Sequence, residues 1–438
     1  MSEPQALNRV ADIVARTLHG YQVRNAFGVP GGEVVTLIDA LQAAGIAFHL
    51  ARHETSAAIM AAGASTISGN PENAGDDRRS RLANAVNGIA DAAQERIPLI
   101  VVSGVVDRAT RGRYTHQVID HAQLLRPLVK ASFEIEPESA ASTVARALAI
   151  AMREPMGPVH LDLSPAVAAA SSPTTMVPAP PTVFTTDTSI PDADARHLSE
   201  RIRAAERPLI IAGLEAARSD AGPALQRLAE TIGAPVITTY KAKGIIPEDH
   251  PLSLGGAGLS PMADRILLPL AHEADLVLMI GYDPIEMRLG WLDFVADQAK
   301  LVDISRTAPD HAMHHAGTWF SAEPRSMLQA LDGLLVEQRS WSGGEPAEAK
   351  AKLEGIFSSK DAWGASCHYR SSERSGRCGW PGHGRQRCPS HPSLAEMARD
   401  KTIHPAAIGR VLHHECRPAI GDRREGSRPL PRRLRGHG

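Results

Sequence analysis

Cysteine is missing from the first 366 residues: all four (Cys367, Cys378, Cys388, Cys416) fall in the last fifth of the 438-residue chain. The bulk of the protein therefore has neither a disulfide nor thiol chemistry to draw on. Aromatic residues are scarce at 4%, and the formal net charge is only -2, so no global electrostatic case exists for nucleic-acid or membrane-surface binding. No apolar run approaches the roughly 18 residues that a membrane-spanning helix needs. The start, Met1-Ser2-Glu3-Pro4-Gln5-Ala6, lacks the basic-then-apolar order of a secretory leader, so a cytoplasmic protein is the expectation. What is present is 43% hydrophobic and 22% charged residues, the balance of a globular protein, in a chain long enough for two or three domains.

Leu7, Val10, Val14 and Leu18 recur at three- and four-residue steps and Gly20 closes the run, which predicts an amphipathic helix. Val23–Val29 reads as a strand delivering Pro30-Gly31-Gly32 to a helix N-terminus. Such a turn can present backbone N–H groups to an anion or polar ligand, or simply turn the chain. A helix to about Ala44 and a strand at Ile46–Leu50 follow, and Glu54 falls where that strand hands over to the next helix. Residues at strand C-termini in such sheets face a ligand crevice. The small residues Ala57, Ala58, Ala61, Ala62 and Gly63 let this helix pack closely, so Glu54 sits where a carboxylate is costly unless paired. A helix-capping carboxylate is the plainer reading.

Residues 65–81 lack strand alternation and read as a charged loop. Order resumes with a helix at Leu82–Ala92 and a buried, parallel-type strand at Pro98–Gly104. A polar loop around Arg111–His121, a helical stretch to about Met152 and a strand at Gly157–Pro165 complete a first unit. After the Pro- and Thr-rich stretch 171–192, an extended linker by composition, strands are expected at Pro208–Gly213, Pro235–Thr239, Leu276–Gly281 and Lys300–Ile304. The fold class is thus α/β, with two doubly wound parallel-sheet domains at 1–170 and 193–340 and a disordered tail at 341–438. The tail is rich in Arg, His, Gly, Pro and Ser, and its cysteines lack paired Cys-x-x-Cys spacing, so a zinc module is not expected there.

Phe27-Gly28-Val29-Pro30-Gly31-Gly32, Arg52-His53-Glu54, Gly88-Ile89-Ala90-Asp91-Ala92, Pro98-Leu99-Ile100, Gly157-Pro158-Val159-His160-Leu161-Asp162 and Lys243 to Pro251 together resemble the thiamine-diphosphate-dependent 2-oxo acid enzymes. Within them the likeness is greatest to acetolactate synthase large subunits. The resemblance implies a pyrimidine-binding domain at 1–170 and a Rossmann-like central domain at 193–340. It implies that Glu54 hydrogen-bonds the aminopyrimidine ring of thiamine diphosphate, favouring the tautomer whose nitrogen takes the proton from the thiazolium carbon. Gly31, Gly32 and Asn84 fall at cofactor-binding positions by the same likeness, and Gln117 where relatives carry a glutamine facing the substrate. The implied partners are a 2-oxo acid such as pyruvate, to be decarboxylated and ligated, and further copies of this chain or a partner chain.

The sequence departs from this family in two places. Residues 65–81 stand where the family has a strand and a Gly-Pro-Gly turn, and nothing corresponds to the pyrophosphate domain beyond His404–Leu412, which resembles its first helix. The family's Gly-Asp-Gly motif and its asparagines for Mg²⁺ have no counterpart, and Gly421-Asp422-Arg423-Arg424 is a chance likeness. Both stretches read as translation out of frame. The expectations are therefore a protein inactive or weak alone, or a non-catalytic or split subunit. Mg²⁺ is expected only if a pyrophosphate domain is supplied in trans, and no protein metal ligand is assigned. The turn Gly281–Arg288 is more like that of flavin-free relatives, so FAD is not expected.

Overall fold

The structure, a computed structural model, describes residues 9–76, 82–113, 118–172, 190–284, 287, 289–292, 294–309 and 313–357. The chain divides into two units, Met1–Arg399 and Asp400–Gly438; the second lies outside the described residues. No helix among the described residues is long and apolar enough to cross a membrane.

The first half runs α1 (Val10–Gly20), β1 (Asn25–Val29), α2 (Val35–Ala43), β2 (Ala47–Leu50), α3 (Glu54–Ser68), β3 (Glu72–Asp76), α4 (Leu82–Gln94) and β4 (Leu99–Gly104). It continues with α5 (Arg108–Arg111), α6 (His121–Leu125), β5 (Ser132–Glu134), α7 (Ala140–Met152), β6 (Pro158–Leu163) and α8 (Pro165–Ala169). The six strands form one parallel sheet in the order β2-β1-β3-β4-β6-β5. α1 follows from its apolar stripe, with Val10, Ile13, Val14 and Leu18 fully buried, and Asp12 accepts a hydrogen bond from the Arg9 backbone N–H at 3.0 Å to secure its first turn. One sheet face packs on α1, α2 and α7, and the other on the alanine-rich α3 and on α4.

The expected loop at 65–81 is corrected by this sheet. α3 runs on to Ser68 and ends at Gly69, whose φ of 70° is the left-handed stop that glycine adopts without strain. Then β3 enters the sheet between β1 and β4. The alternation is absent because β3 begins with buried polar side chains. The Glu72 carboxylate accepts hydrogen bonds from the backbone N–H groups of Asn25 (2.8 Å) and Arg24 (3.3 Å), which offset its burial. Residues 77–81 lie outside the described residues.

The second half runs α9 (Asp192–Ala204), β7 (Pro208–Ala212), α10 (Leu214–Arg218), α11 (Gly222–Ile232), β8 (Val236–Thr238), β9 (Ser253–Gly256), α12 (Pro261–Glu273) and β10 (Leu276–Ile280). β11 (Leu301–Ser305), β12 (Thr318–Ser321), α13 (Pro324–Ala330) and α14 (Glu345–Phe357) follow. Its parallel sheet has the order β12-β11-β10-β7-β8-β9, with apolar cores on both faces. At the switch between β7 and β10 the two following loops touch: a Cβ on Gly213 would lie 2.3 Å from the Gly281 carbonyl oxygen, so only glycine fits.

The tail expected from residue 341 begins instead with ordered structure. The Trp341 indole donates to the Pro208 carbonyl at 2.8 Å, and α14 buries Ala349 and Leu353. The Lys350 ammonium donates to the carbonyls of His250 (2.6 Å), Ser253 (3.1 Å) and Glu248 (3.2 Å). A helix held by one tryptophan and one lysine carries too thin an apolar stripe to show in the sequence.

Candidate active site

In the first sheet the chain steps outward from β1 to β2 and then returns to β3 on the other side of β1. The strand order thus reverses at β1/β3, and the crevice of such a sheet opens beyond the C-terminal ends of the strands there. Gly31 and Gly32 follow the end of β1, Glu54 follows β2 at the start of α3, and Asn84 lies in the first turn of α4, after β3.

Two of these residues, Glu54 and Asn84, are brought into contact. Glu54 is buried, with 6% of its surface exposed, and its Oε2 accepts a hydrogen bond from the Asn84 amide at 3.1 Å. Two further contacts tie the helix starts together. The Thr55 hydroxyl donates to the Asn84 carbonyl, and the His53 Nδ1 caps α3 by accepting from the Thr55 N–H at 3.2 Å. Close approach of α3 and α4 depends on Gly88, because a Cβ there would meet the Ala58 Cβ at 2.7 Å and the Thr55 carbonyl at 2.9 Å. The carboxyl of Glu54 is therefore fixed by a neutral amide donor in a packed helix–helix notch. Gly31 accepts from the Val34 N–H at 3.2 Å, and nothing fills the space where a Cβ on Gly32 would stand. Gln117 lies outside the described residues.

A second cluster was not singled out in the sequence. Ser103 on β4 and Asp162 on β6 are register partners, and His160 lies two residues before Asp162 on the same face. The Ser103 Oγ lies 2.8 Å from Asp162 Oδ1, 2.7 Å from His160 Nε2 and 3.1 Å from His121 Nδ1, with His121 arriving from α6. His121 Nδ1 is also 2.8 Å from Asp162 Oδ1. Burial alone would raise the Asp162 carboxyl, but the hydrogen bonds from His121 and His160 prevail and hold it well below the usual carboxylate range. A cavity of about 300 Å³ adjoins this cluster, lined by His121, Asp162, Arg111, Glu134 and Phe133 among others. The signal was available in the Val159-His160-Leu161-Asp162 alternation, but its partners Ser103 and His121 are 57 and 39 residues from His160 in sequence.

Residues 8–124 match the N-terminal TPP-binding domain of thiamine pyrophosphate enzymes, and residues 195–331 match the central domain of the same enzymes. A "Probable acetolactate synthase large subunit" of Methanocaldococcus jannaschii is 32% identical over 299 residues, covering 67% of this chain and 50% of the relative. A "Probable 2-ketoarginine decarboxylase" of Pseudomonas aeruginosa is 32% identical over 285 residues, covering 64% of this chain and 49% of the relative. Among solved structures, benzoylformate decarboxylase from Polynucleobacter necessarius superposes with a TM-score of 0.66 at 26% identity, over 76% of this chain and 62% of that one. The chain thus spans about half the length of these curated relatives.

Proposed function

Because the chain belongs to the thiamine pyrophosphate enzymes, carrying their N-terminal and central domains, we propose that it forms the aminopyrimidine side of a thiamine-diphosphate site acting on a 2-oxo acid. The observation that carries this reading is the buried Glu54 carboxyl, oriented by Asn84 at the C-terminal edge of the first sheet. When bound, the thiazolium supplies the electron sink that lets a 2-oxo acid lose carbon dioxide. Glu54 would hold the other ring, its carboxyl placed to hydrogen-bond a pyrimidine nitrogen and to move a proton there. Asn84 fixes the carboxyl plane, and the Gly88–Ala58 contact keeps water out of the helix–helix notch. The open turn at Gly31-Gly32 lets a ligand approach the backbone closely.

Pyruvate is the substrate and acetolactate the product that the acetolactate-synthase likeness favours, although the relatives' printed names span several 2-oxo acids. The Mg²⁺–diphosphate anchor is contributed from beyond the described residues, by a pyrophosphate domain in a partner chain, and FAD is not required. The assembly is a homo-oligomer or a complex with that partner chain. On this reading the chain alone turns over pyruvate negligibly.

Calorimetric titration of thiamine diphosphate with Mg²⁺ into the protein, beside Glu54→Gln, tests the proposal. Loss of a charged hydrogen bond should weaken binding about 10- to 100-fold in the variant. Equal affinity in the two proteins would remove Glu54 from the site.

A further inference from the structure

We propose that His121, His160 and Asp162 form a binding site for a first-row divalent transition-metal ion of the Zn²⁺ type, with one coordination position supplied by Ser103 or by a water from the adjoining cavity. The atoms that converge are one Nδ1, one Nε2 and one carboxylate oxygen, and all lie within 4.8 Å of one another. Their separations can be set against those of a coordination shell. Ligands about 2.0–2.1 Å from a tetrahedral ion stand about 3.3 Å from each other. Here His121 Nδ1 and His160 Nε2 lie 2.8 and 3.4 Å from Asp162 Oδ1, and the Ser103 Oγ caps the three at 2.7–3.1 Å. To take an ion, His121 Nδ1 and Asp162 Oδ1 would move apart by about 0.5 Å and the hydrogen bonds through the Ser103 Oγ would give way to metal–ligand bonds.

The donor set selects the kind of ion. Two imidazole nitrogens and one carboxylate suit Zn²⁺ and its neighbours, whereas Mg²⁺ and Ca²⁺ prefer oxygen shells. Bound ligands must be deprotonated, so an ion would replace the protons that now join His121 and His160 to Asp162. His160 is fully buried, which shields its Nε2 from bulk water. The ligands come from β6 and α6, so an ion would pin α6 to the sheet, and because His121 and Asp162 also line the cavity, its open position faces a space that can hold a small ligand. The site shares no residue with Glu54 or Asn84 and stands whether or not the thiamine-diphosphate reading does.

The test is Co²⁺ titration of the chelator-stripped full chain, followed by visible d–d absorption and by the change in melting temperature, for wild type, His121→Gln, Asp162→Asn and Ser103→Ala. Wild type is expected to show a tetrahedral Co²⁺ spectrum without thiolate charge transfer, and a raised melting temperature. His121→Gln and Asp162→Asn should weaken that binding by about 100-fold or more, since even a residue behind the ligands costs 10- to 100-fold. Ser103→Ala keeps all three ligands and should keep the spectrum. A wild type that gives no such spectrum, gives one with thiolate bands from the tail cysteines, or gives one that survives in His121→Gln and Asp162→Asn, overturns the proposal.

Discussion

Glu215 occupies the first turn of α10, and its Oε1 accepts the Arg306 backbone N–H at 2.8 Å. Burial pushes its carboxyl up to about 7, against the pull of that hydrogen bond and with the Glu154 charge adding to the rise. The folded value lies above the ordinary 4.5, so the stability tied to protonated Glu215 is complete below about pH 4.5 and is lost as pH rises through about 7. Glu215→Gln keeps the acceptor and removes the charge. It should match wild type in urea unfolding near pH 4.5 and exceed it by about 2–3 kcal/mol at pH 8. Equal stability at both values would show that the carboxyl ionises freely. Legibility at this scale depended on whether a side chain's meaning is local. Glu54 could be placed because the end of one strand and the start of one helix define it. Ser103, His121, His160 and Asp162 could not, because their chemistry exists only once β4, β6 and α6 are laid side by side.

Among the elements, β3 departs furthest from its sequence signal, being the strand between β1 and β4 with Glu72 and Asn73 both buried. Glu72 has partners, but among the described residues neither the oxygen nor the nitrogen of the Asn73 amide does. Asn73 stands in register between Ala26 and Ile100, both part of the core under α1, α2 and α7. A buried amide without a partner costs about 1–3 kcal/mol, and Val has similar volume and better strand propensity. Asn73→Val should therefore raise the urea midpoint by the equivalent of about 1–2 kcal/mol. A lowered midpoint would mean that the amide is needed where it is. The same physics explains which elements could be read in advance. β4, β7 and β10 are continuous runs of Val, Ile and Leu buried on both faces, and they were legible. β5, β9 and β12 are edge strands of three or four residues, too short for a period to register.

At the scale of the whole molecule, α4 joins two functions through its two ends. Its first turn carries Asn84 to Glu54, and about 15 Å away, at 1.5 Å per residue, its last turn leads into a contact between the two sheet domains. Arg96 takes a φ of 52°, which turns the chain sharply after α4 and exposes two carbonyls. Arg218, at the end of α10, donates to both, at 3.1 Å to Glu95 and 3.0 Å to Arg96. The Arg96 guanidinium reaches Asp283 at 2.9 Å, and Lys241 pairs with Glu95. The sequence showed two α/β units but not this clasp, because its acceptors are backbone carbonyls that no residue type marks. Arg218→Met keeps much of the aliphatic stem and removes both donors, at a cost of about 1–3 kcal/mol. Wild type is expected to unfold in one calorimetric transition. The variant should show a transition that is broadened or split as the domains melt independently. Arg227→Met, which removes a 3.4 Å pair with Asp332 inside the second domain, should leave the transition single. If Arg218→Met also melts as one sharp transition at the wild-type temperature, the domains are coupled through other contacts, such as Arg96 with Asp283 and Lys241 with Glu95.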